Sequence, residues 1–362
     1  MRIGLYGLPC AGKTYILDKL NFVKVIHGSE TMKKWFPDFD KSDNERKERI
    51  REQFAKRLSR EPEFIMDGHF AFGDTVVFTE SDGKLYDVFI YLYINPHILY
   101  ERMSASKKNQ KYLDADIEQW QRNEINGLRM YCHQQNKDFY VLDNPILGYF
   151  EDVTEPVEFI RTVFHGFSCV EYARSCTEKI LDESFGCDDV TLSDGDKTIS
   201  EKDTCCEVFN YVTNLFDGNF YTGYQTWKNA ANIQKIKQKF MAESIWSVSS
   251  LEINNTIVED LGSNAYILTC GCGAIWERIG KKLRMHVLCG SQMSAETKYY
   301  IAKFLHASGK HVKAFGDSMS DYYMLKEADE GFLVLKSDGT ISRSLKNINL
   351  EGLQFVRIGE NG

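Results

Sequence analysis

The sequence predicts an α/β protein made of two doubly wound parallel-sheet domains. Its 362 residues fit two domains better than one. In both halves, short apolar runs alternate with segments of helical periodicity, which is typical of doubly wound α/β folds. The runs are continuous rather than alternating, as in VFIYLYI at residues 88–94, and such runs are typical of strands buried on both faces of a parallel sheet.

The first half predicts a strand, a Gly-rich loop and a helix at its start. The loop occupies residues 7–14 and follows a strand at residues 3–6. Later strands are predicted at residues 22–26, 65–66, 88–94 and 139–142, and helices at residues 44–60 and 97–136.

The pattern weakens over residues 144–156, which contain two of the six prolines. We therefore predict domains at residues 1–148 and 149–362. Residues 157–185 predict one or two helices, and strands are predicted at residues 189–192, 266–268, 285–288, 312–314 and 332–335. The aromatic, helix-like interval at about residues 200–260 follows the first of these strands and predicts an inserted cap.

Composition excludes some classes of protein. A net charge of −8 argues against broad, sequence-independent binding to nucleic acid. No apolar run approaches the roughly 18 residues of a membrane span, and the first residues do not resemble a signal peptide. We expect a cytoplasmic protein with no membrane partner and with free thiols at its ten cysteines.

The basic segment at residues 44–60 carries seven Lys or Arg residues against three Glu. One interpretation is a solvated helix face with ion pairs between neighbouring turns. The other is a surface that binds a substrate carrying phosphate.

Residues 7–14, GLPCAGKT, satisfy the pattern G-x-x-x-x-G-K-[ST] between a predicted strand and helix. Gly7 and Gly12 allow backbone N–H groups to surround phosphate oxygens. Lys13 would bridge the β- and γ-phosphates, and Thr14 would hold Mg²⁺. The motif therefore predicts a P-loop that binds ATP with Mg²⁺.

Residues 1–145 resemble adenylate-kinase-like nucleoside monophosphate kinases, in the P-loop and in the strand-end segment IMDGHF. The resemblance implies that Asp67 lies near Mg²⁺ and that Arg102 clamps phosphates. It also implies that Arg122 and Arg129 stabilise the transferring phosphoryl group. Glu30 is one candidate for the base, and the acceptor is left open.

Four segments of the second half follow the order found in the haloacid dehalogenase (HAD) superfamily. They are D-x-D-x-T at residues 194–198, Thr269, Lys298 and G-D-x-x-x-D at residues 316–321. The resemblance covers residues 185–340 and implies a HAD Rossmann-like fold. Clustered carboxylates that face a phosphate require a hard cation, which predicts Mg²⁺.

The same resemblance implies a role for each residue. Asp194 would attack phosphorus and form an aspartyl phosphate, while Asp196 would act as acid and then base. Thr269 and Lys298 would bind the phosphate. The expected Mg²⁺ ligands are Asp194, Asp196, Asp317 and Asp321, with Asp321 either supporting Asp317 or pairing with Lys298.

The cap position looks most like that of the phosphoserine-phosphatase branch. The cap segment offers Phe216, Asp217, Phe220, Tyr221, Tyr224 and Trp227. These side chains form either the core of the cap or a box around a flat or cationic substrate group.

Together the motifs predict a bifunctional enzyme. It would be an ATP-dependent kinase of a nucleotide or small hydroxyl metabolite and a Mg²⁺-dependent phosphomonoester phosphatase. The domain order resembles polynucleotide kinase-phosphatases, which gives nucleic-acid ends as an alternative substrate. The other alternative is a non-catalytic nucleotide-sensing regulator.

Overall fold

The computed structural model describes residues 1–243, 248, 251–262 and 264–357, with residues 240–243 described as backbone only. It divides into two compact units, Met1–Phe167 and Ser168–Gly362. Both contain a parallel sheet within a mixed α/β arrangement, so the predicted fold class is confirmed. The division lies after Phe167, beyond the predicted position at residues 148/149. The reason is that helix Thr154–Phe164 packs its Phe159 and Phe164 rings on Tyr140 and Phe22 of the first unit.

The elements of the first unit are as follows. The strands are β1 (Arg2–Tyr6), β2 (Val25–Ile26), β3 (Phe64–Asp67), β4 (Ala71–Phe72), β5 (Thr75–Val76), β6 (Val88–Leu92) and β7 (Asp138–Leu142). The helices are α1 (Lys13–Leu17), α2 (Gly28–Trp35), α3 (Asn44–Leu58), α4 (Glu80–Leu85), α5 (Pro96–Ser104), α6 (Ile117–Gln135) and α7 (Thr154–Phe164).

The parallel sheet of the first unit has the order β2-β3-β1-β6-β7, and β4 and β5 form a separate antiparallel pair. Every residue of β6 and β7 is buried, as their continuous apolar runs predict. Strand β1 pairs with β3 on one side and with β6 on the other. The strand order therefore reverses around β1, and ligands of such folds bind at the carboxyl ends of the strands next to this point.

Residues 97–136, which the sequence predicts to be helical, contain two helices. The chain forms α5 and α6, with a 3₁₀ turn at Gln110–Tyr112 between them. Helix α6 begins after Asp116, because the side chain of Asp116 accepts a hydrogen bond from the backbone N–H of Gln119 and caps the helix.

The second unit contains six described strands in one parallel sheet of order β10-β9-β8-β11-β12-β13. They are β8 (Asp189–Asp194), β9 (Ala265–Thr269), β10 (His286–Cys289), β11 (His311–Gly316), β12 (Glu330–Leu335) and β13 (Gln354–Arg357). The helices are α8 (Cys169–Glu183), α9 (Thr204–Phe209), α10 (Gly223–Glu243), α11 (Asn255–Leu261), α12 (Gly273–Leu283), α13 (Ala295–Ala307) and α14 (Met319–Glu327).

Helices α9, α10 and α11 occupy the predicted cap interval between β8 and β9, of which residues 244–247, 249 and 250 lie outside the described part. The sequence did not predict β13, a mostly exposed edge strand without a continuous apolar run.

Both faces of the second sheet are buried. In β9, Tyr266 and Leu268 contribute to one core cluster, while Ala265 and Ile267 contribute to the other. This alternation follows from the two-residue period of a strand. Across the described residues, no helix is both long enough and apolar enough to cross a membrane.

Candidate active sites

The loop between β1 and α1 has the backbone shape that its glycines predict. Gly7 and Gly12 have φ of +148° and +104°, which residues with a Cβ rarely adopt. A Cβ at Gly7 would lie 2.8 Å from the backbone oxygen of Leu92. The loop leaves the sheet at the carboxyl end of β1, where a phosphate-binding loop is expected in this topology.

Lys13 is buried inside this loop, and its Nζ donates to the backbone oxygens of Gly7 and Leu8, the latter at 3.2 Å. Burial lowers the pKa of its ammonium to about 8, opposed by attraction to Asp67 and Glu124. The neighbouring Thr14 is exposed. The structure therefore places the lysine and the hydroxyl that the motif predicts on the same short segment.

Asp67 ends β3, paired with Leu5 of β1. Its Oδ1 accepts a hydrogen bond of 2.7 Å from the backbone N–H of Gly28, the first residue of α2. Asp67 thus fixes the start of α2, and its pairing with Leu5 places it at the end of β1 from which the loop leaves. Glu30 lies exposed in the first turn of α2. The Mg²⁺ role of Asp67 and the base role of Glu30 stay predictions.

The three predicted arginines lie in different surroundings. Arg102 on α5 donates to the backbone oxygens of Cys10 and Ala11 at 3.4 and 3.3 Å, so it lies at the loop. Arg122 pairs with Glu118, one turn away on α6, at 2.7 Å, and both side chains are more than half exposed. Arg129 is buried above the ring of Phe139. The structure thus places Arg102 at the loop, and the predicted roles of all three arginines stay predictions.

Glu124 was missed at the sequence level. It is fully buried, and its carboxylate accepts from the backbone N–H of Ala71 at 2.8 Å and from the hydroxyl of Tyr91 at 3.0 Å. Burial raises its pKa, opposed by the hydrogen bond from Ala71 and attraction to Lys13. Its position four residues after Trp120 and four before Leu128, both buried, is the signal that could have found it.

We expect Glu124→Ala to destabilise the first unit. The change leaves two buried donors unpaired, each costing about 1–3 kcal/mol of unfolding free energy. Glu118→Ala on the exposed face of α6 is the matched control, expected to cost less than about 1 kcal/mol. Chemical denaturation measures both, and equal effects of the two changes would contradict the structural role of Glu124.

In the second unit, three neighbouring strands bring their carboxyl ends to one site. Asp194 ends β8, Asp317 follows β11 and Thr269 ends β9. Strand β8 pairs with both β9 and β11, so the strand order reverses here as well. The D-x-D and G-D-x-x-x-D segments, more than 100 residues apart, meet for this reason.

Lys298 on α13 joins two of these carboxylates. Its Nζ lies 2.5 Å from Asp194 Oδ1 and 2.7 Å from Asp321 Oδ1, and all three side chains are buried. Burial opposes the charge of Lys298, but the two carboxylates outweigh it and raise the pKa of the ammonium. The other oxygen of Asp321 accepts from the hydroxyl of Ser320 at 2.9 Å. Asp321 is therefore in the second predicted arrangement, paired with the lysine.

The buried cluster around Lys298 contains more carboxylates than lysines. Asp194, Asp317 and Asp321 each offer an oxygen, and these oxygens lie within 4.8 Å of one another. Burial and the nearby Asp321 raise the pKa of Asp194 well above its usual range and that of Asp317 to about 7. Such excess negative charge, presented by oxygen ligands, fits a divalent hard cation such as Mg²⁺. The Asp196 carboxylate lies outside this group.

Asp196 has different surroundings. Its Oδ1 accepts from the backbone N–H of Thr204 at 2.6 Å, and its Oδ2 from the indole N–H of Trp276 at 3.3 Å. Burial raises its pKa to about 6, with a contribution from Asp203. A carboxyl group with this pKa exchanges protons near neutral pH, as a general acid and base must. The acid–base role of Asp196 stays a prediction, and the contact with Trp276 was not anticipated.

A cavity of about 480 Å³ joins this cluster to the cap. Asp194, Asp196, Thr269 and Asp317 line one side of it. Of the six predicted cap residues, Phe216, Asp217 and Tyr221 line the cavity, and the Phe216 and Tyr221 rings stack at 5.1 Å. Tyr224 is buried and stacks on Trp227, while Phe220, Tyr224 and Trp227 are not among the described lining residues. The aromatic segment thus supplies both core and cavity wall.

Arg343, which also lines the cavity, was not predicted as a site residue. It belongs to a 3₁₀ turn at Arg343–Leu345, far along the chain from the motifs. Ser318 was missed as well, although S-x-x-D at residues 318–321 is a capping-box pattern that the structure contains.

No protein-family model matches the chain, and no curated protein matches it. Three solved structures to which it is similar are each 14% identical to it. A shikimate kinase from Acinetobacter baumannii in complex with shikimate covers 45% of this chain and 92% of its own, with a TM-score of 0.35. A phospho-aspartyl intermediate analogue of phosphoserine phosphatase covers 40% of this chain and 86% of its own, with a TM-score of 0.30. The catalytic domain of the CPx-ATPase CopB-B covers 44% of this chain and 84% of its own, with a TM-score of 0.25.

These low scores carry no functional argument, so the assignment rests on the geometry of the two sites. Fold and sites together define a mixed α/β protein with two parallel sheets. One sheet carries a lysine-containing loop of P-loop sequence, and the other carries a carboxylate–lysine cluster that opens into a capped cavity.

Proposed function

We propose that the chain is a bifunctional phosphate-transfer enzyme, with an ATP-dependent kinase site in the first unit and a Mg²⁺-dependent phosphomonoester phosphatase site in the second. The observation that carries the proposal is that the carboxylates of Asp194 and Asp196 in the second unit have different binding partners. Asp194 is bound to Lys298 and, with Asp317 and Asp321, forms a cation-binding group. Asp196 is held separately by Thr204 and Trp276.

In the phosphatase reaction, an oxygen of Asp194 attacks phosphorus and the bond to the ester oxygen breaks, which leaves an aspartyl phosphate. Asp196 gives its proton to the departing alcohol. It then takes a proton from water, whose oxygen attacks phosphorus and releases inorganic phosphate and the Asp194 carboxylate. Lys298 orients Asp194 and offsets the charge of the phosphate. Asp194, Asp317 and Asp321 would hold Mg²⁺, which would supply further neutralisation of charge.

In the kinase reaction, the loop from Gly7 to Thr14 binds the phosphates of ATP through backbone N–H groups. Lys13 offsets charge on the β- and γ-phosphates, and Arg102, already at the loop, stabilises the transferring group. The acceptor would be a nucleotide or a small hydroxyl metabolite.

Healing of nucleic-acid ends is a second candidate, favoured by a hollow in the first unit of about 480 Å³. Trp35, Phe36, Arg46 and Arg49 contribute to its lining. Aromatic rings that stack on bases, combined with arginines that bind phosphates, are typical of sites for single-stranded nucleic acid.

A substrate screen tests the proposed function. The chain is incubated with ATP and Mg²⁺ and either 5′-hydroxyl oligonucleotides or a panel of hydroxyl metabolites, and separately with a panel of phosphomonoesters. We expect ATP-dependent transfer to one acceptor class and hydrolysis of at least one ester. Transfer to the oligonucleotide would select end healing. Neither transfer nor hydrolysis across the panels would contradict the proposal.

Removal of the cation is expected to suppress the phosphatase activity by at least about 10²-fold, because three buried carboxylates would then face a phosphate dianion, with Lys298 as the cation bonded to two of them. Release of inorganic phosphate is measured after treatment with a chelator and again after Mg²⁺ is restored. Undiminished hydrolysis in excess chelator would contradict the assigned cation group.

A further inference from the structure

The cavity of the second unit has an uneven distribution of charge. Its catalytic side carries Asp194, Asp196 and Asp317. Among the described residues that line the cavity, the Lys and Arg side chains are those of Lys197 and Arg343. Lys197 directly follows Asp196 in the catalytic loop, so Arg343 is the cation supplied from outside that loop.

The segment next to Arg343 is bonded to helix α14. The hydroxyl oxygen of Ser344 accepts a hydrogen bond of 3.1 Å from the backbone N–H of Met319, the first residue of α14. Helix α14 also carries Asp321. The hydroxyl of Ser342 lies 3.1 Å from that of Ser344. The base of the Arg343 side chain is thus held in place relative to the carboxylates.

The guanidinium of Arg343 itself is available for exchange. Its Nη2 lies 2.7 Å from Oδ1 of Asp217 on the cap, and the two side chains are 72% and 49% exposed. Ion pairs this exposed change an equilibrium by about fivefold at most. An anionic group of a ligand inside the cavity can therefore take the place of Asp217.

The cap also supplies a wall for the body of such a ligand. The stacked rings of Phe216 and Tyr221 line the cavity beside Asp217, with 13° between their planes. The backbone oxygen of Tyr221 accepts from the N–H of Ala295, the first residue of α13, at 2.9 Å. A cavity of about 480 Å³ lies within the range of sites that enclose whole small ligands.

We propose that Arg343 forms a second anion subsite of this cavity, so that the preferred substrates are phosphate monoesters that carry a second anionic group. The inference rests on the proposed phosphatase function of the same cavity. When such a substrate binds, Arg343 exchanges the Asp217 carboxylate for the second anion, while the phosphate ester faces Asp194.

Binding to the full-length Asp194→Asn variant in Mg²⁺ tests the subsite without turnover. The probes are adenosine 3′-monophosphate and adenosine 3′,5′-bisphosphate, compared by calorimetry. We expect Arg343→Gln to weaken binding of the bisphosphate by about fivefold, the upper end for an exposed ion pair, and to leave the monophosphate within about twofold. Arg343→Lys should retain part of the preference.

The two members of the ion pair should act in opposite directions. Asp217→Asn frees Arg343 and is expected to tighten the bisphosphate by up to about fivefold. Lys346→Gln removes a nearby exposed cation that is not among the lining residues, and serves as the matched control with no expected change. Thermal unfolding of each variant verifies that the fold is retained.

Three results would overturn the subsite. The first is that the bisphosphate fails to bind. The second is that Arg343→Gln and Asp217→Asn weaken both ligands alike, as expected of a contact that only holds the cap. The third is that no variant changes the preference for the bisphosphate. Turnover by the chain with Asp194 intact is measured separately. Selective binding without hydrolysis would refute the phosphatase and leave the subsite standing, whereas hydrolysis without selectivity would do the reverse.

Discussion

Asp194→Asn is expected to lower the phosphatase rate by about 10⁴- to 10⁶-fold, the scale on which loss of a covalent nucleophile acts. Asparagine keeps the shape of the side chain and can still occupy the position beside Lys298, but its amide does not attack phosphorus. The change also removes one oxygen from the cation-binding group. The rate of phosphate release from the best ester in the panel is the measurement.

The matched control for this change is Asp189→Asn. Asp189 begins the same strand, but its side chain is 86% exposed and pairs with His311. We expect its phosphatase rate to stay within about twofold of the unmodified chain, since exposed ion pairs contribute little. A rate retained in Asp194→Asn, or lost equally in both variants, would contradict the assignment of the nucleophile.

Lys13→Ala is expected to lower ATP-dependent phosphoryl transfer by about 10²- to 10³-fold, the effect of removing one preorganised donor from a transition state. Lys13 is the buried cation within the loop, in contact with the backbone oxygens of Gly7 and Leu8. Alanine leaves the developing negative charge without this ammonium. Transfer of labelled phosphate from ATP to the acceptor measures the effect.

Lys19→Ala provides the control for this experiment. Lys19 follows α1 closely, is exposed and lies over the ring of Tyr15. Its removal should leave transfer unchanged, and Lys13→Ala should leave the phosphatase unchanged because that site lies in the other unit. Equal transfer by the Lys13 and Lys19 variants would refute the kinase assignment.

The parts of the sites that lie close together in the sequence could be predicted from it. Gly7, Gly12 and Lys13 act within eight residues, so the chain pattern itself specifies the loop. Asp194 and Asp196 likewise lie at one strand end. Because strand ends meet at a reversal of strand order, the encounter of Asp194 with Asp317 was also predictable once the strands were placed.

Contacts set by tertiary packing could not be predicted. Glu124 binds groups of β4 and β6, and Trp276 reaches Asp196 from 80 residues away. The pair of Arg343 and Asp217 spans 126 residues and has no local pattern. The seven-residue spacing of Arg122 and Arg129 likewise did not reveal that one is exposed and the other buried.

The aspartyl phosphate tests the central claim most directly. The chain is mixed with a hydrolysable phosphomonoester in Mg²⁺ and quenched in acid during turnover, and its peptides are analysed by mass spectrometry. The account predicts a phosphoryl group on the peptide that contains Asp194, removable by hydroxylamine and absent from Asp194→Asn. Turnover with no phosphorylated peptide, or with the phosphoryl group on another residue, would contradict it.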